Sequence, residues 1–216
     1  MRKIDSRIFD GMDENDFDDM CSCARVAEKR YAAGDSIFNP GDVTRSLGIV
    51  LEGSVIIENY DLWGNTAVLS KAVAGEVFAE AYALCGKPMP VAAVAAEMCR
   101  VAMLDVRTAL DGPSAWRPWR AKLLRNLLEI SAEKNMILSS RIFCTSSKSV
   151  RGKLLTYLSQ QSVRAGSSEF RIPFNRQQMA DYLNVDRSAL SKELCRMRDE
   201  GLIDFRKNSF VIHAQL

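Results

Sequence analysis

Arg187, Ser188, Ser191, Lys192 and Arg196 lie within the short stretch RSALSKELCRMRDE. At helical spacing, Ser188, Lys192, Cys195 and Asp199 share one face at i, i+4, i+7 and i+11, with Arg196 beside them and Arg187 in the first turn. Leu190, Leu194 and Met197 occupy the opposite face, which is suited to packing. Guanidinium and ammonium groups donate to O6 and N7 of guanine, and a serine hydroxyl bonds a base or a phosphate. Residues near the N-terminus of such a helix reach deepest into a major groove. The chemistry on offer is recognition of double-stranded DNA.

The elements that must position these groups are legible around them. Asn175 with Gln178 three residues on is a capping-box pair for a helix over RQQMADYL, and Asp186, the last residue of the turn NVD, is placed to cap the next helix. Gly201 stops that helix. Two short helices joined by so short a turn form a helix-turn-helix, and LIDFRKNSFVIHA alternates as a hairpin turning at Arg206 to Ser209, which makes a wing. Arg206, Lys207 and Asn208 at its tip, and Arg176 at the start of the supporting helix, are placed for phosphates, which position a protein without reading sequence. Charge agrees with this division. Residues 141–216 hold 13 Lys and Arg against 7 Asp and Glu, a surplus of +6, whereas residues 1–140 hold 16 against 20, a balance of −4.

The N-terminal part has another texture. Residues 13–30 read as an amphipathic helix, through Phe17, Met20, Ala24 and Ala27. From Tyr31 to Val106, short β-favouring runs such as SLGIVLEG and SVIIENY are cut by glycines, and DLWGNT suits a hairpin turn; about eight strands in an antiparallel roll are predicted. A long helix follows from about Trp119 to Phe143. Leu124, Leu128, Ser131, Asn135, Leu138 and Ile142 keep the 4-3-4-3-4 spacing of a coiled-coil seam. Leu123, Leu127, Ile130 and Ile137 make a second stripe beside it. Two stripes need two partners: the chain's own roll, and the same helix of a second subunit with Asn135 setting register. CTSSKSV, residues 144–150, reads as the hinge. The expected organisation is a roll over 1–112, a dimerisation helix over 113–145 and a DNA-binding domain over 146–216.

A β-roll, a long helix and RQQMADYLNVDRSALSKELCRMRDEGLI, in that order, resemble the Crp/Fnr family of bacterial transcription regulators over nearly the whole chain. The resemblance implies an α+β architecture: an N-terminal jelly-roll domain of the cyclic-nucleotide-binding type, a long dimerisation helix and a C-terminal winged helix-turn-helix. It also implies a homodimer on a palindromic operator, DNA affinity gated by a small effector in the roll, and RNA polymerase as a partner if the protein activates. The recognition motif matches at Arg187, Ser191 and Lys192, where members commonly carry Arg in place of Lys192 and Glu in place of Ser188. A carboxylate that accepts from cytosine N4 is therefore missing, and Lys is a point charge where Arg offers a fork.

GEVFAEAYALCGKPMPVAA, residues 75–93, occupies the place of the family's phosphate-binding cassette. There a Gly-Glu pair precedes an Arg-Ser pair that grips a cyclic phosphate; this chain has Ala79-Glu80 and Met89-Pro90. A phosphodiester buried without the Arg would be uncompensated, so a cyclic nucleotide is not the expected effector. The expected pocket is apolar, formed by Tyr82, Leu84, Met89 and Val91 with Leu128 and Ser131 of the long helix, and Glu80 offers an acceptor. The alternative is a filled roll that senses nothing.

Other chemistries find little here. Cys21 and Cys23, two apart on a helix, point about 200° from each other and cannot share an iron–sulfur cluster. His213 is the only histidine, too few for a haem ligand in the roll or a cupin-type metal centre. No GxSxG, P-loop or HExxH motif occurs. The chain is not expected to be an enzyme or to carry a cofactor or metal. Its six cysteines form no CxxC pair, and it has neither an export signal nor a membrane span, so reduced thiols and a cytoplasmic location are expected.

Overall fold

The computed structural model describes residues 4–60, 66–111 and 117–213. The chain divides into two compact units, residues 1–133 and 134–216. The boundary falls within the long helix, at Glu133 and Lys134, and not at either end of it.

In the first unit a 3-10 turn at Arg7–Phe9 leads to α1 (Glu14–Cys23), capped by the Asp13 side chain, which accepts from the Asp16 N–H at 2.8 Å. Eight strands follow: β1 (Val26–Tyr31), β2 (Ser36–Phe38), β3 (Ser46–Glu52), β4 (Ser54–Tyr60), β5 (Thr66–Val73), β6 (Val77–Phe78), β7 (Ala92–Ala95) and β8 (Cys99–Asp105), with α2 (Glu80–Cys85) between β6 and β7. They form two antiparallel sheets, β1-β8-β3-β6 and β2-β7-β4-β5. The helix expected over 13–30 is therefore corrected. It stops at Cys23, and Val26–Tyr31 instead pairs along its length with β8, from Val26 opposite Leu104 to Tyr31 opposite Cys99. Cross-strand pairing outweighs the helix-favouring composition of Ala27 to Arg30. The DLWGNT turn lies almost wholly outside the described residues, although Tyr60 and Thr66 on either side are paired.

β3 and β8 are covered on both faces, which is why SLGIVLE and RVAMLD read as nearly unbroken apolar runs. Leu47, Ile49, Ala102 and Leu104 face a core shared with Phe9, Phe17, Met20, Trp119, Leu123 and Leu127. Val50 and Val101 face the roll interior with Phe38, Val55, Phe78 and Met89. Gly48 belongs here for steric reasons, since a Cβ on it would lie 2.2 Å from Phe78 Cζ. After α3 (Val106–Asp111), α4 (Pro118–Thr145) begins. The Trp119 indole N–H donates to Asp19 Oδ2 at 2.7 Å and Arg117 pairs with Asp19, fixing its start to α1.

The second unit contains the end of α4, then α5 (Val150–Ala165), β9 (Glu169–Arg171), α6 (Arg176–Leu183), α7 (Arg187–Asp199), β10 (Ile203–Arg206) and β11 (Ser209–Ile212). The segment read as a hinge is shorter than expected, because Cys144 and Thr145 still belong to α4 and α5 begins at Val150. A core of Leu154, Tyr157, Leu158, Met179, Leu183, Leu190, Leu194, Met197, Ile203 and Phe210 joins α5, α6 and α7 to the sheet β10-β11-β9.

Candidate nucleic-acid interface and roll interior

α6 opens with the capping box expected from sequence: the Asn175 side chain accepts from the Gln178 N–H and the Gln178 side chain from the Asn175 N–H, both at 2.9 Å. Asn184 closes it in the left-handed conformation, φ +50°, so that the chain turns over three residues into α7. Asp186 stands at the N-cap of α7, but its side chain makes no capping bond, which corrects the role expected for it. The far end is a Schellman closure, with the Gly201 N–H donating to Arg198 O at 2.9 Å and the Leu202 N–H to Met197 O at 3.0 Å. Gly201 takes φ +73°, the conformation for which a glycine is suited.

The two faces of α7 separate cleanly. Leu190, Leu194 and Met197 are fully buried, while Arg187, Ser188, Lys192, Cys195, Arg196 and Asp199 are exposed and Ser191 is half-buried beside them. Arg196 Nη1 stands 3.7 Å from Glu193. Glu193 in turn accepts from Arg151 Nε at 2.6 Å, and the same guanidinium holds Glu200 through Nη1 and Nη2 at 2.8 and 2.6 Å. Sequence alone did not single out Arg151. Its only local signal is a charge in the first turn of α5, and its partners lie 42 and 49 residues away.

The wing pairs Ile203 with Ile212 and Arg206 with Ser209, and turns through Lys207 at φ +53°. Arg206 and Lys207 are exposed and Asn208 is half-buried. Arg176 is placed differently. Its guanidinium lies over the rings of Phe205 and Phe210, 4.9 and 5.2 Å from their centroids, with Nη1 buried and without a hydrogen-bond partner among the described residues. Burial lowers its pKa. Arg176 is half-buried and packs α6 against the wing, a contact the sequence reading did not include.

In the first unit, Ala79 enters α2 in the left-handed conformation, φ +61°, and Glu80 after it is 6% exposed. Met89 is 2% exposed and joins Phe38 and Phe78 in the roll interior, where Tyr82 packs against the same cluster. Its backbone is held as well, with the Met89 N–H donating to Asp42 O at 2.9 Å and the Gly41 N–H to Met89 O at 2.7 Å. Pro90 and Lys87 are exposed and Val91 is half-buried. The residues expected to line one pocket are not brought together. Leu84 packs against the other core, with Phe17 and Leu123, and Leu128 is 69% exposed while Ser131 is half-buried on the outer side of α4. The cause is helical phase: α2 is amphipathic between two cores, and the α4 face that meets the roll carries Leu123 and Leu127 instead.

Along the expected seam, Leu124, Leu138 and Ile142 are 55%, 56% and 60% exposed, and Asn135 is exposed too. The second stripe is shorter than expected. Leu123 and Leu127 are buried and Ile130 packs beside them, but Ile137 is 59% exposed. Among the described residues no helix is long and apolar enough to cross a membrane.

The cyclic nucleotide-binding domain model matches residues 28–111, and the Crp-like helix-turn-helix domain model matches residues 152–214. Electron transport regulator A of Shewanella oneidensis is 23% identical over 192 residues, which are 86% of this chain and 74% of that protein. Among solved structures, CprK complexed with OCPA is similar at a TM-score of 0.63 and 16% identity, over 94% of this chain and 92% of that one. The c-di-GMP-responsive global regulator CLP of Xanthomonas campestris is similar at a TM-score of 0.58 and 18% identity, over 94% and 100%. These two structural likenesses speak for the fold. With a cyclic nucleotide-binding domain followed by a Crp-like helix-turn-helix domain, and with the fold and recognition helix described above, the chain belongs to the Crp/Fnr family of transcription regulators.

Proposed function

We propose that this regulator works as a homodimer whose two α7 helices read the half-sites of a palindromic operator, with the roll tuned to a small effector other than a cyclic nucleotide. The observation that carries the DNA reading is the division of α7: an apolar face wholly buried, and an opposite face with Arg187, Ser188, Lys192 and Arg196 exposed. Arg187 and Lys192, at the N-terminal half, are the base-reading groups, and Ser188 and Ser191 bond bases or phosphates beside them. Arg206, Lys207 and Asn208 hold the backbone. Dimerisation is supported by the apolar row of α4, which is exposed among the described residues.

Variants separate the two kinds of contact. Arg187→Ala and Lys192→Ala are expected to weaken operator binding by about 1–3 kcal/mol each and relax base preference, whereas Lys207→Ala weakens all duplexes alike and lowers the salt dependence by about one unit. Equal losses on operator and random DNA would reassign Arg187 to a phosphate.

A second reading concerns the roll. Met89 fills the place of the phosphate-gripping arginine, with its side chain in the core and its backbone tied to Gly41 and Asp42. This observation supports the alternative, a roll that is filled and senses nothing. A thermal-shift screen against apolar and aromatic ligands distinguishes them, since a ligand at 100 times its Kd adds about 2.7 kcal/mol of stability.

A further inference from the structure

Residues directly opposite each other in an antiparallel sheet point to the same side. In the sheet β10-β11-β9, Arg206 is opposite Ser209 and Ser209 is opposite Arg171, so the three form one cross-strand row, guanidinium, hydroxyl, guanidinium. The neighbouring row, Phe205, Phe210 and Phe170, points to the other side. There Phe170 and Phe210 stack with centroids 6.3 Å apart, and Phe205 lies 5.8 Å from Phe210. That aromatic row fixes the register, because a slip by one residue would bury the two arginines and expose the rings. The Ile172 N–H donates to Asn208 O at 2.9 Å and ties β9 directly to the wing turn.

Arg171, Arg206 and Ser209 are all exposed, and with Lys207 and Asn208 they line an open depression of about 340 Å³. Among the described residues neither arginine nor Lys207 has an ion-pair partner. Strands about 4.8 Å apart put the two arginine backbones about 10 Å apart, a span across which two long side chains converge on one phosphate group. Two residues further from the tip, the same face carries Asp204, Val211 and Glu169. Those carboxylates repel an anion that moves inward, so the favourable position is confined to the tip.

We propose that Arg171, Ser209 and Arg206 form a seat for one backbone phosphate of duplex DNA, which makes Arg171, on the strand before the helix-turn-helix, a DNA contact outside both the recognition helix and the wing hairpin. This rests on the DNA-binding reading above. The test uses the full-length protein, with binding to a random-sequence duplex measured by anisotropy across a potassium chloride series. Arg171→Ala is expected to lower the slope of log K against log salt by about one unit, while Arg171→Lys keeps it. A wild-type slope in Arg171→Ala, in a variant with unchanged thermal midpoint, overturns the seat. A second measurement does not depend on DNA: sodium tripolyphosphate titrated into the labelled protein should shift the amide resonances of Arg171, Arg206 and Ser209. Shifts there in a protein that binds no duplex would keep the seat and refute the DNA reading, and no shift at the row would refute the seat.

Discussion

Arg151 and Glu200 meet in a two-pronged ion pair, Nη1 to Oε2 at 2.8 Å and Nη2 to Oε1 at 2.6 Å, which joins the first turn of α5 to the residue that closes α7. The third prong, Nε to Glu193, reaches the middle of the same helix. One guanidinium therefore holds α7 at two points about two turns apart, and the planar fork that does so has no equivalent in lysine. The clamp ties α7, which carries Arg187 and Lys192, to α5. Glu193 also stands 3.7 Å from Arg196 Nη1, so the clamp is continuous with the exposed face of α7.

Arg151→Ala is accordingly expected to weaken operator binding more than binding to random duplex, because the loss is one of orientation. Arg151→Lys should restore only part of it. The pair also predicts a pH response. Hydrogen bonds from Arg151 hold the Glu200 carboxyl below its ordinary range, so the clamp is fully present above the usual glutamate pKa of about 4.3 and is lost as pH falls through the lower, folded value. Protection factors of α7 amides, taken relative to the intrinsic exchange rate at each pH, should therefore fall on acidification below about pH 4.3, and Glu200→Gln should remove that step.

Leu128→Glu with Leu138→Glu places charges in the exposed row of α4 and should convert the proposed dimer to a 24.1 kDa monomer by sedimentation. A double variant that remains dimeric and binds DNA normally would refute this interface. Ile137→Ser, on the other exposed side, serves as a control and should leave the mass unchanged.

Cyclic AMP and cyclic GMP should produce no heat by calorimetry, because Met89 and Pro90 supply neither a guanidinium nor a hydroxyl, and proline has no N–H to donate. Met89→Ala should cost about 2–5 kcal/mol of stability, as a large-to-small change in a filled core does. Saturable micromolar binding of either nucleotide would contradict this account of the roll.

The recognition helix was legible because its signals are local: a capping box, a three-residue turn, a terminal glycine and a periodic apolar face are all read within 30 residues. The roll's existence was legible from its short β-favouring runs. Its first strand was not, because Ala27 to Arg30 favour a helix and only pairing with β8, about 70 residues later, makes them a strand. Distance along the chain also hid Arg151, and the row of Arg171, Ser209 and Arg206 emerges only from the register of three strands. Arg176 was legible only in part for a related reason. Its position at the start of α6 suggested a phosphate, while its packing on Phe205 and Phe210, brought back by the wing, is not visible in the sequence. Ile137 followed the right spacing, yet it is exposed.

The most direct test of a dimeric, base-reading regulator is selection of duplexes from a random-sequence library by the full-length protein. The account predicts enrichment of a two-fold symmetric site whose half-sites are centred about one helical turn apart, near 34 Å, and loss of preference at fixed symmetric positions in Arg187→Ala. Recovery of no common sequence, or of a single unpaired half-site, would contradict it.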